Sequence, residues 1–243
     1  MIERVVRADV PSAVRGFTTT RAGGCSVAPF DSLNLGGNCG DRAEAVAENR
    51  RRLAALLPME PYWLSQIHGA RVIHLDDWER GIEADAAWTD RPGQVAAVLT
   101  ADCLPILLAD RSGTCVAAVH AGWRGLAGEI IQATVDALPV RPDRLGAWIG
   151  PRIGAVHYPV GQEVRARFSG YEFAFQPHAQ GAWLADLSAI AMAQLRQAGL
   201  GAIRDCGLCN HADPRFFSVR RGRRTGRMAS VIWIPQLPAP VGC

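Results

Sequence analysis

Three residues have the chemistry of metal ligands or of a nucleophile with its base. They are His68 in QIHG, Cys103 in TADC and His120 in HAGWRG, each where an apolar run ends and a turn begins. Cys103 and His120 bracket the runs LPILLA and TCVAAV. Both runs are apolar on two faces with turn residues between them, which predicts two buried strands, Leu104–Ala109 and Thr114–His120. With Arg111-Ser112 as a two-residue loop, Asp110 pairs with Gly113 and Cys103 faces His120. Directly opposed residues share a face with Cβ atoms about 4.5–5.5 Å apart. A slip of one residue would put the two side chains on opposite faces. Held that close, a thiol and an imidazole are a nucleophile–base pair or two ligands of one metal.

Adding His68 makes a zinc set of two imidazoles and one thiolate, leaving a fourth position for water. Zinc lowers the pKa of such a water to roughly 7, giving a nucleophile at neutral pH. Taken singly, each of the three reads as a buried core residue; the opposed pair is what favours a site. Asp102 points to the other face of the strand from Cys103, either to orient a ligand histidine or as a turn residue.

The chain contains no lysine, so all 26 basic residues are arginine. Schiff-base chemistry and a P-loop lysine are thereby excluded. An anionic substrate must be held by arginine, backbone N–H groups or a metal. Cys206-Gly-Leu-Cys209 with His211 is half of a zinc ribbon, lacks a second pair, and reads as reduced structural cysteines. A cytidine-deaminase site is excluded because no His-x-Glu occurs. The run Arg220, Arg221, Arg223, Arg224 and Arg227 reads as a solvated turn, with Phe216-Phe217 folding it onto the body and an anion site as the functional alternative. His74, His157 and His178 carry no spacing signal.

These residues need a scaffold. Strands are predicted at residues 14–20, Tyr62–Ile67 with Arg71–Leu75 as its partner, Val95–Leu99, Leu145–Ile149, Tyr171–Phe175, Ala202–Arg204 and Ala229–Ile234, while Glu83–Thr89 is polar at first and then AAW. Helices are predicted over Arg42–Leu57 with Asp41 as N-cap, Leu126–Leu138, Val160–Phe168, and from Asp186 through Ala198. Pro29–Asp41 is a long loop with the apolar anchors Phe30, Leu33 and Leu35. The strands cluster without regular βαβ alternation, so the fold class is α+β, with packed mixed or antiparallel β-sheets flanked by helices.

The chain is 243 residues long, 49% hydrophobic and 20% charged, the profile of a globular enzyme or binding protein. Without repeat or linker, residues 1–243 read as one domain. The net charge of +3 is too small to imply nucleic acid. No run approaches the roughly 18 apolar residues of a membrane span. The charged start MIERVVRADV offers no secretory signal, and seven scattered cysteines argue for reduced thiols, so a cytoplasmic location is expected.

Read together, GFTTTRAGGCS, FDSLNLG, QIHG, TADCLPILLAD, VHAGWRGL, IGPRIG, HYPVG and FFSVRRGRRTGRMA resemble the YfiH-type family nearly from end to end. That family has been called laccase-domain or polyphenol-oxidase-like, peptidoglycan editing factor, and purine nucleoside phosphorylase. The resemblance puts the family's metal trio on His68, Cys103 and His120. It implies a mononuclear zinc enzyme that phosphorolyses adenosine, inosine and methylthioadenosine to base and sugar 1-phosphate, and that deaminates adenosine. FSVRR replaces the more usual FSYRR, and Cys209 stands two residues before His211 where the pattern varies; neither touches the trio. Arg124 beside His120 is the first candidate for phosphate, with Arg21 and Arg152 behind it, and Asn34 is a candidate for ribose hydroxyls.

Two rivals differ in chemistry. A copper-dependent polyphenol oxidase needs more imidazoles than six histidines supply, and no His-x-His occurs. A metal-free hydrolase would use Cys103 as nucleophile and His120 as base on a peptidoglycan-related amide. A pure binding protein would keep its cellular role after mutation of the trio.

Overall fold

The computed structural model describes residues 4–236; Cys243 and the two ends of the span 1–243 lie outside them. In chain order, β1 (Val5–Arg7) and β2 (Arg15–Thr19) precede the helix α1 (Ala43–Ala54). Then come β3 (Val72–His74), β4 (Ala86–Thr89), β5 (Val95–Thr100), β6 (Leu104–Asp110) and β7 (Val116–Ala121). The helices α2 (Trp123–Ala127) and α3 (Ile130–Ala137) lead to β8 (Leu145–Ile149). The remainder is β9 (Pro159–Val160), α4 (Gln162–Arg165), β10 (Phe175–Pro177), β11 (Trp183–Ala185), α5 (Leu187–Gln197), β12 (Ala202–Asp205) and β13 (Met228–Trp233).

A six-stranded sheet of order β12-β8-β6-β7-β4-β3 and a four-stranded sheet of order β1-β2-β13-β5 form the centre, with β10-β11-β9 as a small third sheet. Pairing is antiparallel except β3 with β4 and β8 with β12. Leu104, Ile106 and Leu108 of β6 pack with Ile130, Ile131 and Val135 of α3 and Ile190 of α5. Leu107 and Ala109 face the other way, onto Val98 and Ile232 of the four-stranded sheet. The far side of that sheet is covered by Leu53 of α1 with Leu33 and Leu35 of the long loop. Burial of both faces is why LPILLA and TCVAAV show no polar alternation. The result is α+β, as read from sequence.

The β6–β7 register differs from the two-residue loop. Pro105 pairs with His120, and Asp110 donates its N–H to the carbonyl of Cys115. The wider loop is held by the Asp110 carboxylate, which accepts from the N–H groups of Ser112 and Thr114, the Thr114 hydroxyl and Arg144. Gly113 adopts φ +72° there. The shift is two residues, so the face is kept: Gly122 comes opposite Cys103, and His120 lies diagonally beside it.

Five other expectations change. The segment 62–67 forms only isolated bridges, Tyr62 to Ala96 and Ser65 to Glu83, and β3 pairs with β4 instead. Side chains join it to its neighbours: the Gln66 amide bonds both N–H and C=O of Leu99 in β5, and the Asp85 carboxylate accepts the N–H groups of Ile67, His68 and Gly69. The helix expected over 126–138 is α2 and α3, broken where Glu129 turns to φ 62°. Residues 160–168 hold only the end of β9 and the short α4, and Glu172–Ala174 is a 3-10 turn before β10. The residue flanking α1 is Arg42, while Asp41 accepts from Ser26 and Asn34. Asp186 does cap α5, accepting from the N–H of Ala189.

Candidate metal centre

The trio is built by three element ends. β7 carries His120, the turn between β5 and β6 carries Cys103, and the irregular segment before β3 carries His68. Their ligand atoms lie within 4.8 Å of one another, and among the described residues this is the one group of histidine, cysteine or acidic side chains so placed. The His68 and His120 rings meet edge to face, with centroids 4.7 Å apart. His120 is 3% exposed, whereas His68 is exposed.

Sequence reasoning missed Asp85. The register of β4 with β7 brings it beside His120, and its carboxylate accepts from Nδ1 of His120 at 2.7 Å. The same carboxylate accepts the backbone N–H groups of Ile67, His68 and Gly69 at 2.7–3.2 Å. His68 needs that support, because it sits at φ 61°, where a non-glycine residue is strained by about 1–2 kcal/mol. The one signal in the sequence is a carboxylate directly before the buried run Ala86-Ala87.

With Nδ1 committed to Asp85, Nε2 of His120 is the ring nitrogen left for Cys103 and for a metal. Burial pushes the Cys103 thiol up, but the charge of His120 and hydrogen bonds from His120 and His68 bring it down to about 6. A thiolate is the form that binds metal or attacks carbon. His120 is held above its ordinary value: burial lowers it, but the Cys103 charge and the Asp85 bond outweigh that. Gly122 is required by space, since a Cβ there would lie 2.9 Å from Sγ of Cys103 and 3.1 Å from Cδ2 of His68. A converging thiolate, two imidazoles and an orienting carboxylate fit a four-coordinate zinc with one open position.

Asp102, strained at φ 113°, accepts from the Ser218 hydroxyl at 2.7 Å and the N–H of Arg220 at 2.8 Å. The carboxylate that orients a histidine is therefore Asp85, and Asp102 instead ties the 218–220 turn to the strand end carrying Cys103. Burial raises the Asp102 pKa despite those two bonds.

The trio opens on a cleft of about 1100 Å³ whose lining includes Arg124, Arg220, Trp123, Tyr158, Trp63 and Trp78. Arg124 lies 4.3 Å over the Trp123 ring. The other three substrate candidates are not among the residues lining the cleft. Arg152 is buried against Asp205 and Ser188, Arg21 pairs with Asp31, and Asn34 is fully buried in bonds to Asp41, Gly36 and Arg227. Internal partners occupy each of them. Cys206 and Cys209 are free thiols, as expected, with Cys209 accepting from the N–H of Gly154. Arg221 is spent on the carbonyls of Asn210, His211, Asp213 and Phe216, so the arginine run is a turn folded onto the body.

A family model described as multi-copper polyphenol oxidoreductase laccase matches residues 15–235. A Pseudomonas aeruginosa protein named purine nucleoside phosphorylase is 48% identical over 230 residues, covering 92% of this chain and 95% of that protein. YfiH of Escherichia coli K12, also named a purine nucleoside phosphorylase, is 44% identical over 232 residues, covering 92% and 95%. The crystal structure of Neisseria meningitidis protein NMB0706 superposes with a TM-score of 0.92 at 41% identity, covering 96% of this chain and 100% of that one. YlmD from Geobacillus stearothermophilus superposes with a TM-score of 0.89 at 31% identity, covering 97% and 98%. With its trio, its fold and near full-length matches agreeing, the chain belongs to the YfiH family of laccase-like proteins.

Proposed function

We propose that this protein is a zinc-dependent enzyme of purine nucleosides. It phosphorolyses adenosine, inosine and methylthioadenosine to base and sugar 1-phosphate, and deaminates adenosine. The observation that carries the reading is the convergence of His68, Cys103 and His120 at a cleft walled by arginine and aromatic side chains. Relatives named purine nucleoside phosphorylase support the substrate class. We further propose a single cytoplasmic domain; no helix among the described residues is long and apolar enough to cross a membrane.

When bound, zinc supplies a Lewis acid that polarises a substrate or water oxygen. The chain's own residues do the rest. Asp85 keeps His120 in one tautomer and orientation, and Cys103 contributes a negative charge that favours a cation. Trp123 and Tyr158, each with an arginine over its ring, line the cleft as aromatic walls beside a purine. Arg124 faces the anion. In phosphorolysis a phosphate oxygen bonds the anomeric carbon, the C–N bond breaks with its electron pair on the purine nitrogen, and the proton of the phosphate ends on the base. In deamination, water replaces the exocyclic amine and ammonia leaves.

One observation favours a second reading. Cys103, His120 and Asp85 form a nucleophile, base and carboxylate in line, as a metal-free cysteine hydrolase of a peptidoglycan-related amide would need. His68 speaks against it, because a hydrolase has no use for a second imidazole aimed at the thiolate.

The test is to incubate purified protein with adenosine, with and without phosphate, before and after metal stripping, and to resolve products by chromatography. About one zinc per chain is expected, with adenine forming only with phosphate, inosine forming without it, and both lost on stripping and regained with zinc. Product formation unaffected by complete removal of metal would end the zinc reading.

A further inference from the structure

Two of the arginines lining the cleft, Arg124 and Arg220, have no ion-pair partner among the described residues, and both act on the hydroxyl of Tyr158. Arg124 follows Gly122-Trp123 at the start of α2. Arg220 arrives from 96 residues further along the chain, because Asp102 anchors its backbone N–H at 2.8 Å. Its Nη1 donates to the carbonyl of Pro159 at 3.0 Å, and its guanidinium lies 4.6 Å over the ring of Tyr158. Of the other arginines lining the cleft, Arg50 is stacked on Trp63 and donates to the Leu35 carbonyl, and Arg227 donates to the carbonyls of Thr225 and Gly226.

Tyr158 links the pair. It is 8% exposed and lines the cleft, and the charges of Cys103, Arg220, Asp102 and Arg124 all bear on its hydroxyl. Burial and the Cys103 charge push its pKa up to about 12, so near neutral pH Oη keeps its proton and donates a hydrogen bond. Two guanidiniums and a phenolic donor line the same cleft, and although Asp102 acts on Arg220 through space, neither guanidinium has a salt-bridge counter-charge of its own among the described residues. A dianion supplies it through charge-assisted hydrogen bonds.

We propose that Arg220, Arg124 and the hydroxyl of Tyr158 form the phosphate subsite of the cleft, with Asp102 positioning Arg220 beside the metal trio. The proposal rests on the phosphorolytic reading above and assigns its anion site. It also accounts for the strained Asp102: a residue at φ 113° is retained where it brings a cation 118 positions away in the chain to the reacting centre. Tetrahedral phosphate then has two cations on its non-bridging oxygens, leaving one oxygen free to bond the anomeric carbon.

The test uses the full-length zinc-loaded protein and inorganic phosphate. Phosphorolysis rates are measured with phosphate and nucleoside varied in turn, for wild type, Arg220→Met, Arg124→Met, Arg220→Lys and Tyr158→Phe. In parallel, the rise in Tm caused by phosphate alone is recorded. Each Met variant is expected to raise the phosphate KM about ten- to a hundredfold, the loss of one hydrogen bond to a charged group. The nucleoside KM should stay within about threefold. Arg220→Lys should recover part of the loss, Tyr158→Phe should show a smaller one, and the Tm rise should vanish in both Met variants. An unchanged phosphate KM in both Met variants, or equal increases in both KM values, overturns the assignment. If wild type releases base at a rate independent of phosphate, the phosphorolytic reading fails, and the Tm rise alone then decides the subsite. A rise lost in the Met variants upholds it, and a rise equal in all variants overturns it.

Discussion

Oδ1 of Asp85 lies 2.7 Å from Nδ1 of His120, and the two oxygens of that carboxylate also bind the backbone N–H of residues 67, 68 and 69. One fully buried side chain therefore sets the orientation of one imidazole and the backbone that carries the other.

Replacing it should uncouple both. Asp85→Asn keeps an oxygen for the backbone donors but loses the charge that holds His120. Zinc affinity is expected to fall about ten- to a hundredfold, as read by metal analysis after competition with a chromogenic chelator. Retention of wild-type affinity would mean that the carboxylate is only a backbone staple.

Gly122 tests the space at the trio. Its φ of −76° is open to any residue, so Gly122→Ala brings no backbone strain. The added methyl would press on Sγ of Cys103 and Cδ2 of His68. Zinc affinity should drop on the order of tenfold or more while Tm of the metal-free protein stays near wild type. A variant that binds zinc normally would show that the ligands sit elsewhere when loaded.

The hairpin loop makes a pH prediction. Burial raises the Asp110 carboxyl, but bonds from Arg144, Thr114 and Ser112 outweigh it and hold it at about 2. Its unfolded value is about 3.9, so the folded value is depressed. The stabilisation is present above about pH 4 and is lost as pH falls through about 2. Asp110→Asn should cost about 1–3 kcal/mol near neutral pH, and urea unfolding should show the gap to wild type closing between about pH 4 and pH 2. A gap that stays constant over that range would remove the charge from the explanation.

Glu129 breaks what would otherwise be one helix. It is exposed, its side chain makes no capping hydrogen bond, and it holds φ 62°. A left-handed non-glycine residue is strained by about 1–2 kcal/mol, and glycine loses about 0.5–1 kcal/mol of chain entropy in return. Glu129→Gly should therefore raise stability by up to about 1 kcal/mol, seen as a small increase in Tm. A lower Tm would refute the strain.

What the sequence determined by itself was local. Apolar runs bounded by turn residues marked β5 to β8, β13 and α5; Cys103 and His120 stood at the ends of such runs, while His68 followed a run that forms only isolated bridges. The hairpin loop was misjudged by two residues, yet Cys103 and His120 kept a common face, because side chains on a strand alternate with period two. What lay across the fold was decided only by tertiary structure. Asp85 reaches His120 through the pairing of β4 with β7, and Arg220 reaches Cys103 through Asp102, whereas Arg21, Asn34 and Arg152 are absorbed by partners of their own. Residue type announces what a side chain is able to bind. Which charge or hydrogen bond it meets depends on segments far apart in the chain, and that contact, made in a buried place where an unpaired polar group is costly, selects the role.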